Sequence, residues 1–350
     1  MGTLRLAYRM ERWGLRRPLQ TSKGPISERI GVVLEVGEQD ERIEARGMSV
    51  ASPLPGWSLE AHGDILESLQ RLPTELPEFD ADAPDRLDAW LDQHEVCIPS
   101  VRFGLASALM DHQAKRSGSS WGALLAPGAS QRVEVARLCR SSDEARQAYS
   151  LGVRTFKLKA GMSLEQETRL LADVAALGHD VLVRVDVNRG WTFDQAIAAW
   201  DEWRPFHSRI EFIEEPLKDA FLGRTFELQD YGMPLAFDES VRTRADVLEL
   251  ADRGLKGVVV LKPSLIGTPL EVLKLAELSS QLGFSAMVSN LIEPSVVRLY
   301  CAHLAGLINS GLAAGIGTGG LLAEDLGDLE LTPDATVMLG TLQTSQGVFQ

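Results

Sequence analysis

The stretch that decides the fold reads TFKLK at residues 155–159, VLVRVD at 181–186 and IEFIE at 210–214. Each run is short and rich in β-branched or other apolar residues, and a polar segment with helix signals follows it. Strands that alternate with helices are typical of a parallel sheet, because each helix returns the chain to the same end of the sheet. Residues 155–216 therefore predict consecutive βαβ units.

The alternation continues on both sides of this stretch. Five further strand-like runs bring the predicted strands to eight, and they lie at residues 133–138, 234–238, 258–262, 285–289 and 312–316. Capping-box spacing marks helix starts at Ser163 with Gln166, Thr192 with Gln195 and Thr268 with Glu271, and Gly283 marks a helix end. This pattern predicts an α/β fold with a TIM-type (β/α)7-8 barrel over residues 99–324, in which one helix is missing or degenerate.

Residues 1–98 have a different pattern. Strand-like and helical runs are mixed there, which predicts a separate α+β domain, and they lie at residues 4–8, 30–36, 59–72 and 86–91. The prolines and glycine of residues 51–56 predict a loop, and a helix is predicted from Pro99 to about Lys115. The tail, residues 325–350, has strand-like runs at 335–339 and 347–349 and is expected to return to the amino-terminal domain.

Composition excludes several classes of protein. The 350 residues are 45% hydrophobic with a net charge of -14, which argues against nucleic acid and anionic membranes as partners. We find neither a long apolar run nor a signal-peptide pattern, so we expect a cytoplasmic protein. Cys97, Cys139 and Cys301 are too far apart for a zinc cluster or a disulfide framework. The sequence leaves the oligomeric state open.

Polar side chains stand where the predicted barrel strands end. They are Lys157, Lys159, Asp186, Asn188, Glu214, Asp238, Lys262 and Ser289. From Lys159 to Lys262, successive charged positions are 24 to 28 residues apart, which is about one β/α unit. Because catalytic side chains of such barrels lie at the carboxyl ends of the strands, we expect these residues to share one site.

Three of these positions are carboxylates on neighbouring strands, namely Asp186, Glu214 and Asp238. Buried together, they would repel one another at a cost of several kcal/mol unless a cation lies between them. Hard oxygen ligands without His or Cys favour Mg²⁺, with Mn²⁺ as a substitute. Such an ion would act as a Lewis acid toward a small carboxylate substrate.

Two lysines flank the carboxylates, Lys159 on one side and Lys262 on the other. Nearby positive charge and partial desolvation should lower their pKa values toward neutrality and so allow proton transfer. Lys157 lies two residues before Lys159 and points to the same face, where it would orient Lys159 or a substrate carboxylate. Glu215 and Glu239 have the opposite strand phase and are interpreted as supporting or capping groups.

A glycine-rich segment, GIGTGG at residues 315–320, matches the dinucleotide-binding fingerprint literally. Only 30 residues follow it, too few for the rest of a dinucleotide-binding fold, and no acidic residue ends a second strand. We therefore interpret the segment as an eighth loop whose backbone amides approach an anionic substrate group.

Taken together, these motifs resemble the enolase superfamily, in the branch of muconate lactonising enzymes, dipeptide epimerases and o-succinylbenzoate synthases. The resemblance rests on Lys157-Leu-Lys159, Asp186-Val-Asn188, Glu214-Glu-Pro216, Asp238-Glu-Ser240 and Lys262-Pro263. It implies that Lys159 and Lys262 face each other across the substrate, that Asp186, Glu214 and Asp238 bind magnesium, and that the amino-terminal domain caps the barrel.

Softer motifs resemble the o-succinylbenzoate synthases more than the epimerases. They lie at residues 51–58, 99–104, 184–191 and 315–319, and the acidic pair that epimerases carry in the eighth loop is absent. This implies syn-dehydration of 2-succinyl-6-hydroxy-2,4-cyclohexadiene-1-carboxylate in menaquinone biosynthesis. The candidate substrate-binding residues are Lys157, Arg184, Asn188, Ser289 and Gly315. Gly47-Met48-Ser49 departs from the Gly-Glu found in many relatives before the 51–56 loop.

Three alternatives remain on sequence grounds. An N-acylamino acid racemase or dipeptide epimerase would use Lys159 and Lys262 as two bases and would exchange substrate hydrogen in heavy water. A Schiff-base barrel aldolase would be trapped by borohydride and would be indifferent to EDTA. A non-catalytic binding barrel would retain its function in Lys159→Ala.

Overall fold

The computed structural model describes residues 3–21, 24–327, 329 and 331–339. The amino-terminal part contains an antiparallel sheet in the order β1-β2-β3 and two helices. These elements are β1 (Arg5–Thr21), β2 (Gly24–Gly37), β3 (Gly47–Ala51), α1 (His62–Gln70) and α2 (Asp85–Gln93). The sequence predicted the first two strands and both helices, but it did not predict β3.

The long helix α3 (Pro99–Ser117) begins at the proline where the sequence predicted a helix start, and it packs against β3. Gly47 permits this close packing, because a Cβ atom there would lie 1.9 Å from the carbonyl oxygen of Ala108. Such a distance is far inside van der Waals contact, so any larger residue at position 47 would push β3 away from the helix.

The second part is a barrel of seven parallel strands in the order β11-β10-β9-β8-β7-β6-β5. After the short strand β4 (Arg132–Glu134), these strands are β5 (Arg137–Cys139), β6 (Thr155–Lys159), β7 (Leu182–Asp186), β8 (Ile210–Glu214), β9 (Leu235–Phe237), β10 (Gly257–Leu261) and β11 (Phe284–Val288). The barrel helices are α4 (Ser142–Ser150), α5 (Leu164–Ala175), α6 (Phe193–Glu202), α7 (Thr225–Asp230), α8 (Arg244–Asp252), α9 (Pro263–Ile266), α10 (Pro269–Gln281) and α11 (Ser295–Ile308). The predicted α/β barrel class is confirmed.

The eighth predicted strand, residues 312–316, is not a strand in the structure. It forms two isolated parallel bridges, Val135 with Ala314 and Ser289 with Gly315, which join the end of β11 to the segment between β4 and β5. Three backbone hydrogen bonds of 2.7–2.9 Å hold this segment. This segment closes the barrel, and we call residues 312–316 the seam. It has too few backbone partners on either side to form a strand.

The carboxyl-terminal segment was expected to return to the amino-terminal domain, and the described part of it does otherwise. Strand β12 (Thr336–Met338) pairs antiparallel with β4. Contact with the amino-terminal sheet occurs earlier in the chain, where Leu15 bridges to Leu322 and Ala323 N donates to Gly14 O. The predicted strand-like run at 347–349 lies outside the described residues.

The helix caps agree with the sequence at two of three positions. Thr192 and Thr268 each accept a hydrogen bond from the third residue of the helix that follows, and both complete a capping box. Ser163 makes no such bond, and Glu167, rather than the predicted Gln166, accepts from the backbone amides of Met162 and Ser163. Within the described ranges, every helix is too short or too polar to cross a lipid bilayer.

Candidate active site

Strand register places the predicted residues side by side at the carboxyl end of the barrel. Lys159 pairs with Asp186 across β6 and β7, and Asp186 pairs with Glu214 across β7 and β8. Asp238 comes directly after β9, and Lys262 directly after β10. Residues in register on parallel strands point to the same face, so these side chains surround the mouth of the barrel.

Lys157 bridges two of the carboxylates. Its Nζ lies 2.7 Å from Glu214 Oε2 and 2.8 Å from Asp186 Oδ2. The side chains of both acids are at most 3% exposed. A buried carboxylate pair of this kind needs a cation close by, and in this structure the lysine amine supplies that charge.

The two lysines predicted to be catalytic lie on opposite sides of the mouth. Lys159 Nζ lies 2.7 Å from Asp186 Oδ2 and also donates to Asn188 Oδ1. Lys262 Nζ lies 2.5 Å from Asp238 Oδ2. Strands β7, β8 and β9 separate β6 from β10, so the carboxylates stand between the two amines along the strand order.

Burial and neighbouring charges shift the pKa values of the three carboxylates in different directions. Burial, together with the carboxylates of Asp186 and Asp238, raises the pKa of Glu214 to about 7. Burial and Glu239 also raise the pKa of Asp238, although Lys262 opposes them. Burial would raise the pKa of Asp186 too, but the amines of Lys157 and Lys159 lower it below its usual range. The three carboxylates therefore differ in how readily they ionise, and Glu214 keeps its proton to a higher pH than an ordinary glutamate.

The pKa of Lys262 differs from the sequence-based expectation of a value near neutrality. Burial lowers the pKa of Lys157 and of Lys262, as expected, but the facing carboxylates raise both by more. The net shift is upward because anions, and not other cations, are the closest charged neighbours of these amines. Lys262 is therefore an ammonium ion in this arrangement, and the expected downward shift is wrong for it.

The acidic cluster fits a divalent cation by the chemistry of its donors. Glu214 Oε1 is buried and has no hydrogen-bond partner, which is costly for a carboxylate oxygen unless a cation binds it. In the described ranges, no three His, Cys, Asp or Glu side chains already have the spacing of a metal site. The amines of Lys157 and Lys262 instead contact the oxygens that a metal would use.

Glu215 supports the cluster from behind, as its strand phase predicted. Its Oε1 accepts from the backbone amides of Asp238 at 3.0 Å and Ser240 at 2.7 Å, and its Oε2 accepts from Arg189 Nε at 3.0 Å. Glu215 and Arg189 both have left-handed backbone angles, with φ of 44° and 57°. Strained backbone of this kind persists where surrounding bonds fix it, as the bonds between Glu215, Arg189 and the amides after β9 do here.

A cavity opens at the mouth and is lined by residues of both parts of the chain. Lys157, Lys159, Asp186, Asn188, Asp238, Lys262, Ser289 and Gly315 line it, all of them predicted site residues. Gly315 lies against Ser289, since a Cβ atom at position 315 would be 2.7 Å from Ser289 Oγ. Leu54, in the predicted 51–56 loop, and Trp57, directly after that loop, line the cavity from the amino-terminal part.

Arg184 is placed differently from the expectation that it binds substrate. It is 1% exposed and lies below the mouth, where its guanidinium donates to Glu211 and, at 2.6 Å, to Ala313 O. It also lies 5.0 Å above the Phe212 ring, beside a cluster of apolar side chains inside the barrel. Because its partners are protein groups and it does not line the cavity, we assign it a structural role.

The sequence did not reveal how the cap is fastened to the barrel. Arg29 of β2 is 1% exposed and donates to three backbone carbonyls, those of Ser52, Pro53 and Ile292. On the barrel side, buried Glu293 accepts from Ser264 Oγ and from Leu291 N at 2.9 Å. An arginine in an otherwise strand-like run was the available signal, but its partners lie more than 20 residues away.

Comparison with known proteins places the chain among relatives along most of its length. Residues 140–347 match the family described as enolase C-terminal domain-like. An o-succinylbenzoate synthase from Thermosynechococcus vestitus is 30% identical over 311 residues, covering 86% of this chain and 88% of the relative. Another, from Yersinia enterocolitica, is 29% identical over 319 residues, covering 89% and 88%.

Solved structures share the fold. A dipeptide epimerase from Enterococcus faecalis, complexed with Mg and the dipeptide L-Leu-L-Tyr, superposes with a TM-score of 0.82 at 20% identity and covers 98% of this chain and 99% of its own. A muconate lactonizing enzyme from Pseudomonas fluorescens complexed with muconolactone has a TM-score of 0.81 at 21% identity, covering 100% and 97%. From the match over residues 140–347 and the 30% identity to a relative over 88% of its length, the chain belongs to the enolase superfamily.

Proposed function

We propose that this protein is an o-succinylbenzoate synthase, a lyase that removes water from 2-succinyl-6-hydroxy-2,4-cyclohexadiene-1-carboxylate to give 2-succinylbenzoate in menaquinone biosynthesis. The observation that carries the proposal is the placement of Lys159 and Lys262 on opposite sides of a cavity that Asp186 and Asp238 line, with Glu214 on the strand between them. Relatives that bear this name match over four fifths or more of the chain, which supports the narrower assignment.

Asp186, Glu214 and Asp238 would hold Mg²⁺, or Mn²⁺ in its place, with the unpaired Glu214 Oε1 as one donor. A divalent ion there would supply a Lewis acid for the negative charge that develops on the substrate carboxylate. Lys157 would be released from its bridge between Asp186 and Glu214 and would turn to the substrate carboxylate. Asn188 and Ser289, which also line the cavity, are proposed to contact the substrate.

Lys159 is proposed as the base. Half of its side chain is exposed at the mouth, so it can reach a substrate in the cavity. Its amine would take the proton from the ring carbon beside the carboxylate, and the electrons of that bond would move onto the carboxylate. The carbon–oxygen bond would then break as those electrons enter the ring, and the Lys159 ammonium would protonate the departing hydroxide. One lysine performing both transfers makes the loss of water syn.

Lys262 is proposed to act as a fixed positive charge on the opposite side of the ring. Its side chain is 12% exposed, and although burial lowers its pKa, Asp238 and Glu239 raise it by more, so the amine is protonated in this arrangement. An ammonium ion held in a poorly solvated site stabilises developing negative charge and contacts the ring face favourably. Residues 1–98 would cover this site, and residues 99–324 would carry it.

The test is to incubate the protein with the cyclohexadiene substrate and Mg²⁺ and to follow the absorbance of the aromatic product. We expect turnover that EDTA abolishes and added Mg²⁺ restores. The racemase alternative predicts a different result, namely deuterium exchange at the α-carbon of N-acylamino acids with no dehydration of the cyclohexadiene. That outcome would replace the proposed reaction with a two-base one at the same lysines.

A further inference from the structure

The mouth of the barrel has two chemically different sides. One side is acidic and consists of the ends of β7, β8 and β9 with their flanking lysines. The other side is formed by the end of β5, by Gly315, Gly317 and Thr318 at and just after the end of the seam, and by residues 289–292 after β11. We call this second region the seam side, and among the described residues that line the cavity there, one carries a charge, Arg140.

Arg140 directly follows β5. Leu138 pairs with Lys157, so Arg140, two residues further on, has the same strand phase as Leu138 and comes level with Lys159. All four residues line the cavity. The backbone amide of Arg140 donates to Oε2 of Glu144, a residue in the first turn of α4. This bond fixes the main chain at Arg140. The guanidinium therefore projects from a fixed strand end beside the proposed base.

The guanidinium of Arg140 has no partner in the part of the chain that the structure describes. It takes part in neither a hydrogen bond nor an ion pair there, whereas Lys157, Lys159 and Lys262 each contact a carboxylate. A guanidinium presents planar, forked donors that match a carboxylate. A cation on the wall of a substrate cavity, without a protein anion, is suited to an anion of the ligand.

We infer that Arg140 binds a second carboxylate of the substrate, remote from the carboxylate held at the acidic side, and so makes the protein selective for small dicarboxylates. The inference rests on the proposed function for the position of the first carboxylate. The succinyl arm of the proposed substrate ends in such a group. Arg140 lines the cavity and can bind a substrate carboxylate, whereas Arg184 lies inside the barrel and is bonded to protein groups.

The experiment measures binding of the product by calorimetry in the presence of Mg²⁺. The two probes are 2-succinylbenzoate and its analogue in which the carboxylate of the succinyl arm is a primary amide. They are titrated into the wild-type protein and into Arg140→Gln. Arg137→Gln serves as a matched control, because Arg137 lies on the same strand and lines the neighbouring groove but not the cavity.

Arg140→Gln should weaken binding of 2-succinylbenzoate by about 10- to 100-fold, the loss typical of one charge-assisted hydrogen-bonded pair. It should change binding of the amide by no more than about 2-fold, and Arg137→Gln should leave both affinities within about 2-fold. Equal weakening of both ligands, or unchanged affinity for 2-succinylbenzoate, would overturn the inference.

Failure of the proposed function would look different. The wild-type protein would then bind neither probe, and the same comparison would be made with N-succinylphenylalanine and N-acetylphenylalanine, which differ in the remote carboxylate. Selective weakening of the N-succinyl compound in Arg140→Gln would uphold the role of Arg140 although the reaction had been assigned wrongly. Equal affinities of that variant and the wild-type protein for the N-succinyl compound would refute it.

Discussion

Strand β7 carries two buried charges two residues apart, and they have different surroundings. Arg184, inside the barrel, has partners of its own in Glu211 and Ala313 O. Asp186, at the mouth, shares its Oδ2 between the amines of Lys157 and Lys159. A buried charge with fixed partners contributes to structure, whereas charges that share partners can exchange them for a cation or a substrate. The position of a charged residue along β7 thus determines whether it stabilises the fold or takes part in the chemistry at the mouth.

The largest effect should come from the mouth. Lys159→Ala removes the proposed base, and removal of a general base typically costs about 10²- to 10⁴-fold in rate. We expect at least this loss in kcat/KM for dehydration, with the melting temperature little changed because the side chain is half exposed. Lys274→Ala is the control, since Lys274 is exposed and pairs with Asp85 far from the mouth. Full activity in Lys159→Ala would remove the contrast between the two regions.

A change inside the barrel should act on stability instead. Arg184→Met leaves Glu211 without its cation and Ala313 O without its donor, and breaking a buried pair costs about 3–5 kcal/mol in the free energy of unfolding. Urea unfolding measures this loss. The control, Arg154→Met, breaks an exposed pair with Asp180 and should cost about 1 kcal/mol or less. Equal losses in the two variants would show that burial does not distinguish these ion pairs.

The smallest expected effect concerns Glu293, which is buried like Asp186 but, like Arg184, has fixed hydrogen-bond partners. Burial raises its pKa above the ordinary 4.5, so its unfolded form ionises first as the pH rises. The folded protein therefore loses stability through this group above about pH 4.5, until the folded pKa is passed. Glu293→Gln should gain stability relative to the wild-type protein as the pH rises above about 4.5, as measured by urea unfolding at a series of pH values. If the wild-type protein became more stable than Glu293→Gln as the pH rose, the upward shift in the pKa of Glu293 would be contradicted.

Much of the fold followed from the sequence because local patterns and tertiary structure agree. Seven of the eight predicted strands appear in the parallel sheet, and Thr192 and Thr268 cap their helices as predicted. Strand β3 was missed because all five of its residues are buried, so it has no alternation of polar and apolar positions. The seam was predicted as a strand because its composition is strand-like, although it gains only two bridges.

The candidate site was predictable to the extent that strand ends converge in any such barrel. That rule brought Lys159, Asp186 and Lys262 to one cavity. The rule could not predict that Arg184, which has the same strand phase as Asp186, does not reach the cavity. Alternation along a strand tells which face a side chain is on, but not how deep in the barrel it lies. Nor could it reveal Arg29, whose carbonyl partners are distant in sequence.

Closure of the barrel by the seam has a consequence for how such a protein evolves. Two bridges and a few backbone hydrogen bonds hold residues 312–316, whereas Lys159, Asp186 and Glu214 stand on strands that pair with a neighbouring strand on each side. Insertions and substitutions cost less where fewer backbone partners are lost. Substrate specificity can therefore change in evolution through substitutions or insertions in the seam, while the lysines and carboxylates of the proton-transfer site stay the same.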